Sequence, residues 1–155
     1  MGRLGRFRRL SGDERWLLVQ SMALLPVTAV ALRLGGFRRW QGALRRLAPR
    51  GEAGPVGCPE ASVAHGKNVA SILRVASRYS LCRTNCLEQS LVLWWLLLRR
   101  GVPVDLRIGV RKAGGGLKAH AWVQLGGVIL NDTEDVHQHY APFDRDIAAV
   151  AVEER

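Results

Sequence analysis

Three positions of this chain carry residue types, in an order, that acyl-transfer chemistry uses: Cys86, His120, and an amide or acid at Asn131 and Asp132. A cysteine attacks an acyl carbon as its thiolate, a neighbouring base takes the thiol proton, and a third polar group holds that base in one orientation. Cys86 is well placed to begin such a sequence. Asn85 is a favoured helix N-cap, and Glu88 three residues later completes a capping-box pattern, so Cys86 falls at the first helical position. The unpaired N–H groups and positive dipole end of a helix favour a thiolate. A cysteine taken alone is more often a small buried hydrophobe, and its partners have to decide otherwise.

His120 stands in an apolar run, Ala119 to Leu125, that reads as a strand. A histidine there is commonly structural, but Ala119 and Ala121 leave room around the imidazole, and Trp122, two residues on, shares its face. The orienting group depends on hairpin register. A two-residue turn at Gly126-Gly127 sets Trp122 opposite Asn131 and puts Asn131 on the face of His120. A three-residue loop from Leu125 sets His120 opposite Asp132. Apolar matching of Val123 with Leu130 and of Leu125 with Val128 leans towards the first, and pattern alone leaves the choice open.

The elements that must position these residues follow from periodicity. After Cys86, the run Leu91 to Leu98 is apolar on every side, so this helix is a core element. Arg99, Arg100, Gly101 and Pro103 end it. Val104 to Arg111 then alternates as a half-buried strand, Ala113 to Leu117 is a glycine-rich turn, and Val128 to Asn131 is a third strand. Upstream, Ser11 with Glu14 opens a helix expected to kink near Pro26. Gly36 to Leu47 is a second, amphipathic helix, with Phe37, Trp40, Leu44 and Leu47 on one face. Ala48 to Pro59 is rich in proline and glycine, and from about Ser62 a helix resumes with Val69, Ile72, Val75, Ala76 and Tyr79 on one side. The fold class this predicts is α+β: N-terminal helices, a buried central helix carrying the cysteine, then a small antiparallel sheet. The division expected is a basic helical region over 1–50, a linker over 51–62 and the main domain over 63–155.

With 155 residues, 48% hydrophobic and 23% charged, the chain reads as one globular domain with no internal repeat, which excludes a disordered or repeat-built protein. Its net charge of +10 owes much to arginines near the N-terminus, among them Arg3, Arg6, Arg8, Arg9, Arg33, Arg38 and Arg39. Such an excess suits an acidic partner, a nucleic acid or a membrane, or is a solvated face. Cys58, Cys82 and Cys86 are odd in number and follow no disulfide framework, which points to free thiols in a reducing cytoplasm. Trp16 to Leu32 is apolar but interrupted by Gln20, Ser21, Pro26 and Thr28. It reads as a core-packing or partner-facing helix rather than a signal or a membrane contact.

The segments C-L-E-Q-S-L-V-L-W-W-L-L-L-R-R-G-V-P-V-D-L-R-I-G-V, A-H-A-W-V and L-N-D, in this order from about Val63 to Phe143, resemble the leader peptidase of lasso-peptide biosynthesis, a transglutaminase-like cysteine protease. The resemblance implies a papain/transglutaminase-like core in which Cys86 is the nucleophile, His120 the general base and Asp132 the orienting acid, with Asn131 in reserve. It implies no cofactor and no metal. Its substrate would be a ribosomally made precursor whose leader is cut from its core. The overall length suits the stand-alone form, whose partners are a separate leader-recognition protein and an ATP-dependent lasso cyclase.

Three other readings compete. The same residues suit a transglutaminase-like acyltransferase or amidase, with an amine accepting the acyl group. Cys82-x-x-x-Cys86 with His137-x-His139 supplies metal-ligand types, but its spacing matches no common zinc pattern. A non-catalytic basic module would bind nucleic acid or acidic membrane through its arginine arm, with Phe37 and Trp40 among the arginines; the same residues form an ordinary amphipathic face, and no nucleic acid is expected as partner.

Overall fold

The computed structural model describes residues 11–48, 59–80 and 84–142. Helix α1 (Gly12–Leu47) opens at Ser11, which closes the expected capping box with Glu14: the Ser11 N–H donates to Glu14 Oε2 at 2.9 Å and the Glu14 N–H to Ser11 Oγ at 3.3 Å. The break in α1 is at Gly36, where the second helix was expected to begin, and the kink expected near Pro26 is absent. Gly36 adopts φ 73°, ψ 166°, a conformation that glycine alone takes without strain, while Pro26 is accommodated inside the helix. The chain bends sharply there, because the Trp40 indole N–H reaches Thr28 Oγ1 at 3.3 Å, whereas twelve residues of straight helix would separate them by about 18 Å.

Helix α2 (Pro59–Tyr79) begins inside the stretch read as linker, and the rest of that stretch lies outside the described residues. It presents Val69, Ile72, Leu73 and Ala76 to the interior. Helix α3 (Cys86–Leu98) is the centre of the core, as its all-round apolarity requires. Leu91, Val92, Leu93, Leu96 and Leu97 are each at most 2% exposed, and each such burial contributes about 1.5–3 kcal/mol. One cluster joins Leu17, Leu18, Leu25 and Leu44 of α1, the inner face of α2, Leu91 to Leu97 of α3, Val104 just before the sheet, and Val123 and Leu125 within it. The N-terminal helix thus shares its core with the elements that follow.

The sheet is antiparallel, in the order β3-β2-β1-β4. Strand β1 (Asp105–Ala113) pairs with β2 (Gly116–Leu125) over the two-residue Gly114-Gly115 turn, with Gly109 opposite His120. Strand β3 (Val128–Ile129) is shorter than its sequence suggests. After it come a single-turn helix α4 (Val136–His139) and a two-residue strand β4 (Ala141–Pro142), which returns to pair with Gly109 and Val110. The α+β arrangement expected from the sequence is the one observed, with α4 and β4 added.

Candidate active site

Cys86 is the first residue of α3 and is half-buried. The capping box that places it forms in full. The Asn85 N–H donates to Glu88 Oε2 at 2.9 Å, Asn85 Nδ2 donates to Oε1 at 3.3 Å, and the Glu88 N–H donates to Asn85 Oδ1 at 3.0 Å. Glu88 is only 4% exposed, and this reciprocal bonding satisfies its buried carboxylate. Gln89 Nε2 donates to Thr84 Oγ1 at 3.2 Å, tying down the residues that enter the helix. The turn carrying the thiol is therefore fixed on both sides of the N-cap.

What fixes that turn against the sheet follows from the shortness of β3. Gln124 pairs with Ile129 and Leu125 with Val128 across Gly126-Gly127, whose φ values of 55° and 87° make the two-residue turn. Leu130 extends the ladder by one bond, its N–H donating to Val123 O at 2.9 Å. The backbone then leaves the sheet, and side chains take over its hydrogen bonds. Asn131 Oδ1 accepts the Val123 N–H at 2.8 Å, and Asn131 Nδ2 donates to Ser90 Oγ at 2.9 Å. Ser90 Oγ in turn donates to Ala121 O at 2.9 Å, on the same edge of β2, two residues back. Ser90 is fully buried and lies one helical turn after Cys86, on the same side of α3. Ser90 thereby ties the helix that Cys86 begins to the edge of β2 at Ala121, the chain neighbour of His120.

The hydrogen bonds separate the two residues that register left open. The two-residue turn favoured by apolar matching forms, yet the residue paired with His120 is Asp132. Asn131 has turned its amide into the ladder, and the backbone departure brings the next residue to the imidazole. His120 Nε2 contacts Asp132 Oδ2, and Asp132 Oδ1 accepts the Thr133 N–H at 2.8 Å, so the carboxylate is itself held. A carboxylate only accepts, which places the Nε2 proton towards Asp132 and leaves Nδ1 as the free acceptor of the neutral ring.

The rest of the imidazole's surroundings are aromatic. Trp122, fully buried, lies with its ring centroid 6.3 Å from that of His120, and Tyr140 lies at 5.0 Å. Arg111 covers the outer side of Tyr140, its guanidinium carbon 5.0 Å from the ring centre. Gly109, opposite His120, makes room for this packing. A Cβ there would stand 3.0 Å from the Trp122 ring and 3.0 Å from Ala141 O. The side-chain accessibilities of His120 and Asp132, 23% and 27%, leave the pair shielded but reachable.

Sequence reasoning missed Ser90, Gly109 and Tyr140. A signal existed for the first, since Ser90 interrupts an otherwise apolar helix face one turn from the cysteine; Tyr140 had none. Among the described residues no group of three or more histidine, cysteine or acidic side chains is arranged to hold a metal ion. Of the metal reading's residues, Cys82 and the His137 side chain lie outside the described residues. His139 bonds locally, through Nδ1 and Asp135 O at 3.0 Å.

Neither a curated protein nor a solved structure matches the chain. The transglutaminase-like superfamily matches residues 26–145, a span that holds α1 from Pro26 onward, the helix beginning at Cys86, the strand with His120 and the segment with Asp132. Members of that superfamily are commonly cysteine-dependent hydrolases and transferases, and by this match and this fold the chain belongs to the transglutaminase-like superfamily.

Proposed function

We propose that this protein is a cysteine peptidase that removes the leader from a ribosomally made lasso-peptide precursor, with Cys86 as nucleophile, His120 as general base and Asp132 as orienting acid. The observation that carries the reading is the pairing with Asp132 of His120, which is next in the chain to Ala121, where Ser90 ties in the helix that Cys86 begins. The choice of substrate within the superfamily rests on sequence: the Cys86-Leu87 opening, Ile108-Gly109-Val110 and His120-Ala121-Trp122 in this order.

In this scheme His120 Nδ1 takes the Cys86 proton, and the thiolate attacks the carbonyl carbon that joins leader to core. The N–H of Cys86 at the helix start donates to the oxyanion that forms. The imidazolium then gives its proton to the leaving nitrogen, the C–N bond breaks, and the core departs with a free amine while the leader remains as a thioester. Water, deprotonated by His120, attacks the thioester and releases the leader carboxylate and the Cys86 thiol. A separate recognition protein would deliver the precursor, and an ATP-dependent cyclase would take the core.

The test is mass spectrometry of a candidate precursor incubated with its recognition protein and this chain. The expected products are the leader and core masses, summing to the precursor plus one water, and Cys86→Ala yields neither. Leader removal that persists in Cys86→Ala sinks the proposal. A product in which an added amine replaces the water would instead assign an acyltransferase.

A further inference from the structure

The first part of α1 has its polarity reversed. The hydroxyl residues of its apolar run point inwards: Ser21 is fully buried and bonds Leu17 O at 2.8 Å, and Thr28, 1% exposed, accepts from Trp40. The outward positions are apolar instead, with Trp16 62%, Val19 56%, Met22 41%, Val27 51%, Val30 51% and Leu34 84% exposed. Trp16, Val19 and Met22, and then Val27, Val30 and Leu34, recur every three or four positions, and the exposed Ala23 bridges the two groups into one stripe. Only 33% of the most apolar window of α1 is buried. In water such a face is costly, and a solvent-facing helix carries polar residues where this one carries valine and methionine.

The chemistry of the stripe selects what covers it. A protein partner is held in register by hydrogen bonds, about one per 100–200 Å² of interface. Trp16, Val19, Met22, Val27, Val30 and Leu34 offer none beyond the Trp16 indole. A fluid hydrocarbon phase needs none. Cations accompany the stripe: Arg33 is exposed beside its last residue, Leu34, Arg38 and Arg39 are exposed after it, and Arg3, Arg6, Arg8 and Arg9 precede it in the sequence. Trp16 adds an amphipathic ring, which suits the headgroup level. The opposite side of the same helix, with Leu17, Leu18, Leu25 and Ala29, is committed to the protein core, so the helix does not cross a bilayer alone. It fits lying in the plane of the surface.

We infer that the Trp16–Leu34 face of α1 docks this protein on an anionic lipid bilayer, with the stripe among the upper acyl chains and the flanking arginines on acidic headgroups. The docking is independent of peptide cleavage and would hold the enzyme where its product is released next to a membrane.

The full chain is mixed with vesicles of phosphatidylcholine, with and without phosphatidylglycerol, and sedimented. Binding to the anionic vesicles is expected, with weak binding to the neutral ones. Val19→Asp with Val30→Asp is expected to weaken anionic binding about tenfold or more, while melting temperature and cleavage in solution stay unchanged. Should that double variant fail to fold, the unmodified chain still decides the matter, because lipids brominated near the headgroup should quench a fluorescence component that Trp16→Phe removes. No pelleting of the wild type with anionic vesicles, or equal pelleting of the folded double variant, overturns the inference. So does a dimer in sedimentation velocity that the double variant dissociates with no vesicle binding, which would assign the stripe to a second copy.

Discussion

Two adjacent polar residues should give opposite signatures when truncated. Asn131 supplies structure. Its Oδ1 is the partner of the Val123 N–H, and its Nδ2 bonds a buried serine that keeps a second partner in Ala121 O. Asn131→Ala therefore orphans one backbone donor and removes one further hydrogen bond. Leaving a buried group unpaired costs about 1–3 kcal/mol, and the half-buried position lets water recover some of it, so a net loss of about 1–3 kcal/mol is expected. For a chain of this length that lowers the melting temperature by about 3–10 °C. In the proposed scheme Asp132 orients the base instead. Its carboxylate is about a quarter accessible and its removal leaves His120 able to bond water, so Asp132→Ala should change stability by less than about 1 kcal/mol. It should lower the turnover number about a hundredfold or more, because the imidazole loses the acceptor that fixes its tautomer. The assay is urea denaturation paired with initial rates of precursor cleavage. If Asn131→Ala proves thermally neutral while abolishing turnover, and Asp132→Ala unfolds the protein while sparing it, the division of labour argued from the hydrogen bonds is wrong.

Cys86→Ser should abolish cleavage while leaving the urea midpoint within experimental error, because the N-cap bonds belong to Asn85 and Glu88; a shift comparable to that of a core substitution would contradict this. Ser90→Ala should cost about 2–4 kcal/mol in denaturant, since it unpairs Ala121 O and the Asn131 amide together without changing volume much, and should lower turnover more than it raises KM. Gly109→Ala should cost about 1–3 kcal/mol, because the new methyl meets backbone at Ala141 as well as the Trp122 ring, and it should alter the tryptophan fluorescence. Hydrogen bonding to Ser11 first, and then to Asn68, holds the Glu14 carboxyl below its ordinary pKa, which contributes stability at neutral pH. That contribution is complete above the unfolded value of about 4.3 and is lost as pH falls through the lower folded value, so Glu14→Gln should flatten the acid limb of the melting curve.

How far the sequence could be read depended on whether each feature was local. The capping boxes at Ser11 and Asn85, the buried helix after Cys86 and the two-residue Gly126-Gly127 turn are each set by neighbours within a few positions, and each forms as its pattern predicts. The start of a new helix at Gly36 was legible, whereas the kink expected at Pro26 did not form, a contest between two local signals. A proline costs one helical hydrogen bond, whereas glycine opens a backbone region closed to other residues, and the sharper turn formed at Gly36. Helix α4 and β4 are too short to carry any period, and β4 exists through pairing with β1, a strand far from it in the chain. The partner of His120 was beyond pattern for a different reason. Strict alternation predicts Asn131 from the turn that forms, but an asparagine can replace the backbone in a ladder, and here it does so because Ser90, 41 residues earlier, waits at the edge of β2. The serine that bonds Asn131, and so leaves Asp132 to meet His120, is also the residue that holds the cysteine's helix to the sheet. In the proposed scheme a single buried hydroxyl thus couples the nucleophile's position to the choice of its orienting group, and neither can be read without the other.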